Sequence, residues 1–270
     1  MNSHSPLYHA KRLNFLRTEL KKFDHISFDE ASHKYFWGLL KADKPFKYSV
    51  TAWPKRYEDE FNSEFWSKKK APGLDIDPEQ LKQNWENGSK NSMERGNRIH
   101  KILETILPSL CYRPDSAEEI KSEKPVSARL KQSIFNYLEY VNKRYIVLAV
   151  EKNIGDIELS TAGKPDVLYY DLIDDCVVIA DHKSFEVFIY KKNFNYKGVL
   201  RAIDKSHFSK CSIQLNFYEY ILRKNTAIKK FRREVNWFPR FGDNYKIIEI
   251  PDWQEVIRNM IADSKRIPGR

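Results

Sequence analysis

The chain has 270 residues and a mass of 32.1 kDa, enough to bury a substantial core without disulfide or metal staples. With 31% charged, 14% aromatic and 41% apolar residues, it falls among folded globular proteins and outside the disordered class, which is poor in aromatics. The longest apolar run, Tyr145–Val150, has six residues against about 20 for a membrane span, and the opening MNSHSPLYHAKR has no apolar signal core. A cytoplasmic protein with no membrane partner is therefore expected. Cys111, Cys176 and Cys211 are too far apart for a zinc or iron–sulfur pattern and form no disulfide framework, which fits a reducing compartment.

The formal net charge is +10, and its location says more than its size. Between Lys183 and Arg233 stand thirteen basic and three acidic residues, so this segment holds the whole excess and the rest of the chain sums to zero. Such a block implies a polyanionic partner, with nucleic acid ahead of an anionic membrane surface; a solubilising face is the plainer alternative.

Taken in chain order, residues 6–22 place Leu7, Leu13, Leu16 and Leu20 near helical spacing and predict an amphipathic helix. His25–Phe28 and Lys34–Trp37 alternate like short strands around the turn-like Asp29–Ser32. Asp77–Pro78 opens a helical stretch, and a second helix is expected from about Asn91 to Ile106, ended by Pro108. Residues 112–126 read as an exposed loop, and Ser127–Arg144 as a helix by the spacing of Leu130, Ile134, Tyr137, Leu138 and Val141. Ile146–Lys152, Gly163–Tyr170 and Cys176–Ser184 then read as a β-meander. A helix is expected at Ser209–Arg223, a hairpin from Val235–Phe241 and Tyr245–Ile250 about Gly242–Asp243–Asn244, and a last helix from Pro251–Asp252 to about Ser264. No repeat or Gly/Ser linker divides the chain. The expectation is one α+β (mixed α/β) domain over 1–270, with a central mixed sheet flanked by helices. Residues 1–145 would be mainly helical and 146–270 would supply the sheet core and C-terminal helices.

The chemistry concentrates in Val177-Val178-Ile179-Ala180-Asp181-His182-Lys183-Ser184. Side chains on a strand repeat every second residue, so Asp181 and Lys183 share one face while Ala180 and His182 take the other. Antiparallel pairing through the Asp171–Asp175 turn brings Asp166 of Gly163-Lys164-Pro165-Asp166 close to Asp181. Two carboxylates at that range repel, and Mg²⁺ or Mn²⁺ relieves the repulsion while leaving coordination sites for water and a phosphate oxygen. Phosphodiester hydrolysis needs such a cation and a nearby positive group to orient water, for which Lys183 is the candidate. Taken alone, an Asp-x-Lys at a strand end is weak evidence and reads first as a surface ion pair.

Four motifs occur together and in order: Gly96–His100 (GNRIH), Gly163–Asp166 (GKPD), Asp181–Lys183 (DHK) and Gln214–Tyr218 (QLNFY). In this the chain resembles the PD-(D/E)xK nuclease superfamily, in its RecB-like and λ-exonuclease-like branch. The stretches HISFD at 25–29, HKYF at 33–36 and SVT at 49–51, with Asn84-Trp85, resemble phage and large-DNA-virus members of that branch. The resemblance implies a restriction-endonuclease-like core, DNA as substrate and Mg²⁺ or Mn²⁺ as cofactor. His100, Asp166, Asp181 and the carbonyl of His182 would ligate metal, and Lys183 would position the attacking water. Gln214 and Tyr218 would contact the catalytic lysine region or the DNA backbone. Glu151 stands where many relatives carry an acid on the first sheet strand and would there hold a second metal ion or a water, with a salt bridge to Lys152 or Lys164 as its alternative. Because G-x-x-x-H with Q-x-x-x-Y resembles end-processing relatives, the resemblance implies an exonuclease, with a structure-specific endonuclease or a catalytically silent nucleic-acid-binding module as alternatives.

In the basic segment, Phe185, Phe188, Tyr190, Phe194 and Tyr196 interleave with Lys191, Lys192 and Lys197, with Arg201 just beyond, a pattern that suits bases stacking while lysines neutralise phosphates. The alternative is that these aromatics pack the sheet. The chain carries no G-x-x-x-x-G-K-[ST] phosphate loop, G-x-S-x-G elbow or H-E-x-x-H zinc motif. Any helicase or annealing protein working with it would be a separate polypeptide.

Overall fold

The computed structural model describes residues 5–38, 44–110, 127–240 and 244–266. The expected loop at 112–126, Cys111 and the Gly242–Asp243 turn lie outside the described residues. Helix α1 (Pro6–Lys21), capped by the Ser5 hydroxyl, leads into a hairpin of β1 (Ile26–Asp29) and β2 (Lys34–Trp37). A short strand β3 (Tyr48–Ser49) follows, then α2 (Ser63–Lys70), α3 (Pro78–Leu110) and α4 (Ala128–Arg144). The second half runs β4 (Tyr145–Val150), β5 (Ile154–Asp156), β6 (Thr161–Gly163), β7 (Val167–Asp171), β8 (Cys176–Lys183), α5 (His207–Asn225), β9 (Phe231–Trp237), β10 (Lys246–Glu249) and α6 (Gln254–Arg266).

The main sheet has the order β10-β9-β8-β7-β4; β8 and β9 run parallel, joined through α5, and the other neighbours are antiparallel. This is a mixed sheet between two helical layers. Alternation along β8 sends Val177 and Ile179 into one core with α1, α5 and α6, and Cys176, Val178 and Ala180 into a second core with α3 and α4. Every residue from Cys176 to His182 is buried, as a central strand covered on both faces requires.

Two expectations need correction. The two helices expected between Asp77 and Pro108 are a single helix, α3, that includes Pro108. Asp77 Oδ2 caps its start by accepting from the backbone N–H groups of Glu79 and Gln80, at 2.8 and 3.2 Å. Its middle, residues 86–94, is wholly exposed, so no apolar periodicity marks the helix as continuous there. Pro108 falls in the last turn, where its missing N–H removes one terminal bond without breaking the helix. The run expected as one strand from Gly163 to Tyr170 is also divided: β6 belongs to a small sheet of order β3-β6-β5, and β7 starts only at Val167. Pro165 has no N–H for a ladder, so the chain changes sheets there.

Candidate active site

The register of β7 on β8 pairs Val167 with Ala180, so Asp166, one residue earlier, sits beside Asp181 where the two strands end. Both carboxylates are buried. Lys183 Nζ lies 2.6 Å from Asp181 Oδ2, as the shared strand face predicts, yet Asp181 Oδ2 is buried without a well-aligned hydrogen bond. Burial draws the Lys183 ammonium toward neutrality, but the Asp181 and Asp166 carboxylates outweigh it and hold its pKa above the ordinary lysine value. Asp166 moves the other way: burial first, then the neighbouring Asp181 charge, push its carboxyl well above the usual range.

Helix α3 brings His100 over this strand end. Gly96, one turn earlier, faces Ser184, where an added Cβ would meet Ser184 Oγ at 3.4 Å, so the helix already lies close to the end of β8. His100 Nε2 is 2.9 Å from the carbonyl oxygen of His182, which can only accept; Nε2 therefore carries the ring proton. That leaves Nδ1 as a lone pair 3.5 Å from Asp166 Oδ2. Burial, then the Lys183 charge, lower the His100 pKa and favour this neutral ring.

The donor set fits a divalent cation. Two lone-pair atoms, His100 Nδ1 and Asp166 Oδ2, face each other, and the buried Asp181 Oδ2 has only a misaligned ammonium beside it. Carboxylate oxygens with one imidazole suit Mg²⁺ or Mn²⁺, the nitrogen favouring Mn²⁺. The carbonyl of His182, expected as a ligand, is engaged by His100 and keeps one lone pair. Among the described residues, the donor side chains of His100, Asp166 and His182 gather within 4.8 Å of one another; the His182 ring, pointing away from Asp181, was not anticipated from the sequence as part of this group.

Gln214 and Tyr218 sit one turn apart on α5 and act on the site from behind. Gln214 Nε2 donates to Asp181 Oδ1 at 3.2 Å and lies 3.4 Å from the Tyr218 hydroxyl, which donates to the Lys164 carbonyl at 3.1 Å. The expected contact of Tyr218 with DNA is corrected: the residue is buried and its hydroxyl is engaged. Glu151 lines the site cleft with its carboxylate 2.5 Å from Lys164 Nζ, and its backbone N–H donates to the Asp166 carbonyl at 2.9 Å. The expected salt bridge to Lys164 is present.

The cleft in front of this group has a volume of about 1050 Å³. One wall is α3, with Met93, Asn97 and His100; the other is the segment after β8, where Phe185 stacks on His207 with ring centroids 3.9 Å apart. Further along that segment Val187, Tyr190 and Phe194 are exposed, and the ammonium groups of Lys191 and Lys192 form no salt bridge among the described residues. Tyr196 does not belong to this surface. It is buried with Leu200 in the α5/α6 core, so the expected base stacking at Tyr196 is corrected, as it is for the buried Phe188. Lys197 is paired with Asp59, and Arg201 borders a separate cleft with Asn259 and Asp263 of α6; neither lines the site.

Searched against protein-family models and against curated proteins, the chain matches neither a family nor a characterised relative.

Proposed function

We propose that this chain is a metal-dependent deoxyribonuclease that hydrolyses phosphodiester bonds, of the PD-(D/E)xK type, and that it works as an exonuclease on DNA ends. What carries this reading is the meeting of Asp166, Asp181, Lys183 and His100, drawn from three motifs spread over nearly ninety residues, at one strand end beside an open cleft. Structural ion pairs need no such convergence of a buried, unaligned carboxylate oxygen, a charged lysine and a proton-free imidazole nitrogen.

A bound Mg²⁺ or Mn²⁺ supplies Lewis acidity toward a phosphoryl oxygen and acidifies water. Asp166, Asp181 and His100 would hold it. Lys183 keeps its proton, so it serves as a cation that orients a water molecule and offsets charge growing on the phosphoryl group, and not as a base. Gln214, by donating to Asp181 Oδ1, fixes the orientation of that carboxylate with Oδ2 beside Lys183. The exposed Tyr190 and Phe194 with Lys191 and Lys192 offer a path for a DNA strand leading to the cleft. The chain has no helix long and apolar enough to cross a membrane among its described residues, and its buried free thiols, Cys176 and Cys211, support action in the cytoplasm, of a host cell if the protein is viral.

The test is incubation of purified protein with end-labelled linear DNA and covalently closed circles, with Mg²⁺, Mn²⁺ or chelator. Progressive metal-dependent shortening of linear DNA with persistence of circles is expected. Nicking of circles would replace the exonuclease by an endonuclease, and no hydrolysis of either would overturn the nuclease reading.

A further inference from the structure

The backbone of His182 links the two candidate ligands that lie on either side of it. Its N–H donates to Asp166 Oδ2 at 2.6 Å and its carbonyl accepts from His100 at 2.9 Å, so a shift of this one residue's backbone displaces both. What fixes it lies on the far face of the sheet. The His182 ring enters the α3/α4 core, where Nε2 is 3.1 Å from the Tyr137 hydroxyl. The Tyr137 oxygen also accepts from Asn236 Nδ2 at 2.8 Å and lies 2.7 Å from the Tyr169 hydroxyl. All four side chains are buried.

A proton inventory gives this cluster a direction. A hydroxyl has one proton and two lone pairs, and Asn236 takes one lone pair of Tyr137. The proton and the remaining lone pair are divided between His182 and Tyr169. His182 Nδ1 lies 3.7 Å from Asp166 Oδ2, an oxygen that accepts from the His182 backbone N–H at 2.6 Å and so presents lone pairs on this side, where an Nδ1–H is attracted and an Nδ1 lone pair is repelled. The proton of His182 therefore belongs on Nδ1. Tyr137 donates to Nε2, and Tyr169 donates to Tyr137.

We propose that Tyr137 is a positioning residue for the candidate metal centre: its hydroxyl, acting through the sheet, sets the ring orientation and tautomer of His182 and so the backbone of the residue that holds Asp166 and His100. Outer partners of this kind tune metal sites without touching the ion. The role rests on the metal-centre reading above.

Nitrogen-15 NMR of histidine-labelled, metal-free wild-type protein reads the tautomer directly. His182 protonated on Nδ1 is expected, and a proton on Nε2 overturns the proposal without any variant having to fold. Calorimetric titration with Mn²⁺ gives the second arm. Tyr137→Phe should weaken binding by about tenfold or more. Tyr169→Phe removes a hydroxyl from the same buried cluster, one hydrogen bond further from His182, and should change affinity by less than about threefold at a comparable loss of thermal stability. Equal affinities for Tyr137→Phe and wild type, or equal losses in the two variants, would make the cluster a structural one and overturn the role. Wild-type protein that binds no Mn²⁺ would remove the metal-centre reading itself, an outcome the wild-type titration separates from failure of Tyr137 alone.

Discussion

The ring of Tyr218 occupies the space that Gly163 leaves open: a Cβ at position 163 would stand 2.7 Å from Tyr218 Cε1 and 3.0 Å from Val50 Cγ2. Two motifs 55 residues apart in sequence are thus parts of one packing arrangement, in which the glycine admits the tyrosine and the tyrosine hydroxyl holds the Lys164 carbonyl two residues before Asp166.

Gly163→Ala must therefore push a buried, ring-sized neighbour, and overpacking of this kind costs about 1–3 kcal/mol. Tyr218→Phe keeps the ring and loses only the hydrogen bond, a loss of about 1 kcal/mol. Urea unfolding of the two variants should rank Gly163→Ala as the more damaging. The reverse order would mean that the ring has room to move.

Glu234 provides a pH test of the sheet core. Burial, opposed by Arg232, pushes its carboxyl up to about 7 from 4.5, with the Tyr145 hydroxyl 3.0 Å away. The folded protein then holds a proton up to pH near 7 that the unfolded chain releases near 4.5, so this residue's contribution is full below 4.5 and declines as pH rises through 7. The loss is on the order of 3 kcal/mol. Glu234→Gln cannot lose that proton, so wild-type stability should fall relative to the variant between pH 5 and 8. Parallel stability curves would contradict the buried, protonated carboxyl.

His100 turns the lone pair of its Nδ1 toward Asp166, and nitrogen ligation suits Mn²⁺ better than Mg²⁺. His100→Ala should weaken Mn²⁺ binding about tenfold or more in calorimetric titrations and affect Mg²⁺ less. Identical Mn²⁺ isotherms would return His100 to a purely structural hydrogen bond with the His182 carbonyl.

On the DNA path, Lys191→Gln with Lys192→Gln should make the slope of log K against log[salt] shallower by about 1 to 2. Adding Lys197→Gln should change it little further, since Lys197 is already paired with Asp59. Tyr190→Ala with Phe194→Ala should lower affinity while leaving the slope unchanged, because stacking releases no counterions. An unchanged slope in the double lysine variant would place the DNA elsewhere.

The sequence made the site's strand legible because β8 alternates regularly: one short run of β-branched residues places Asp181 and Lys183 on a common face, and the structure has them there. Asp166 followed from the length of the turn to β8. What stayed hidden depends on tertiary packing. The exposed middle of α3 carries no apolar pattern, so its continuity could not be read. Tyr196 and Tyr190 look alike among the same lysines, and only the docking of Leu200 and α6 buries the first and leaves the second exposed. Tyr137 reads simply as a core position of α4; the histidine it holds comes from a strand 45 residues further along.

The central claim is that Asp181 belongs to a metal-dependent hydrolytic centre. Asp181→Asn keeps the side chain's size and removes its charge, so the fold should persist by circular dichroism. Release of label from end-labelled linear DNA in the presence of Mn²⁺ should then fall by about 10²-fold or more. Hydrolysis by Asp181→Asn at the wild-type rate would contradict the account.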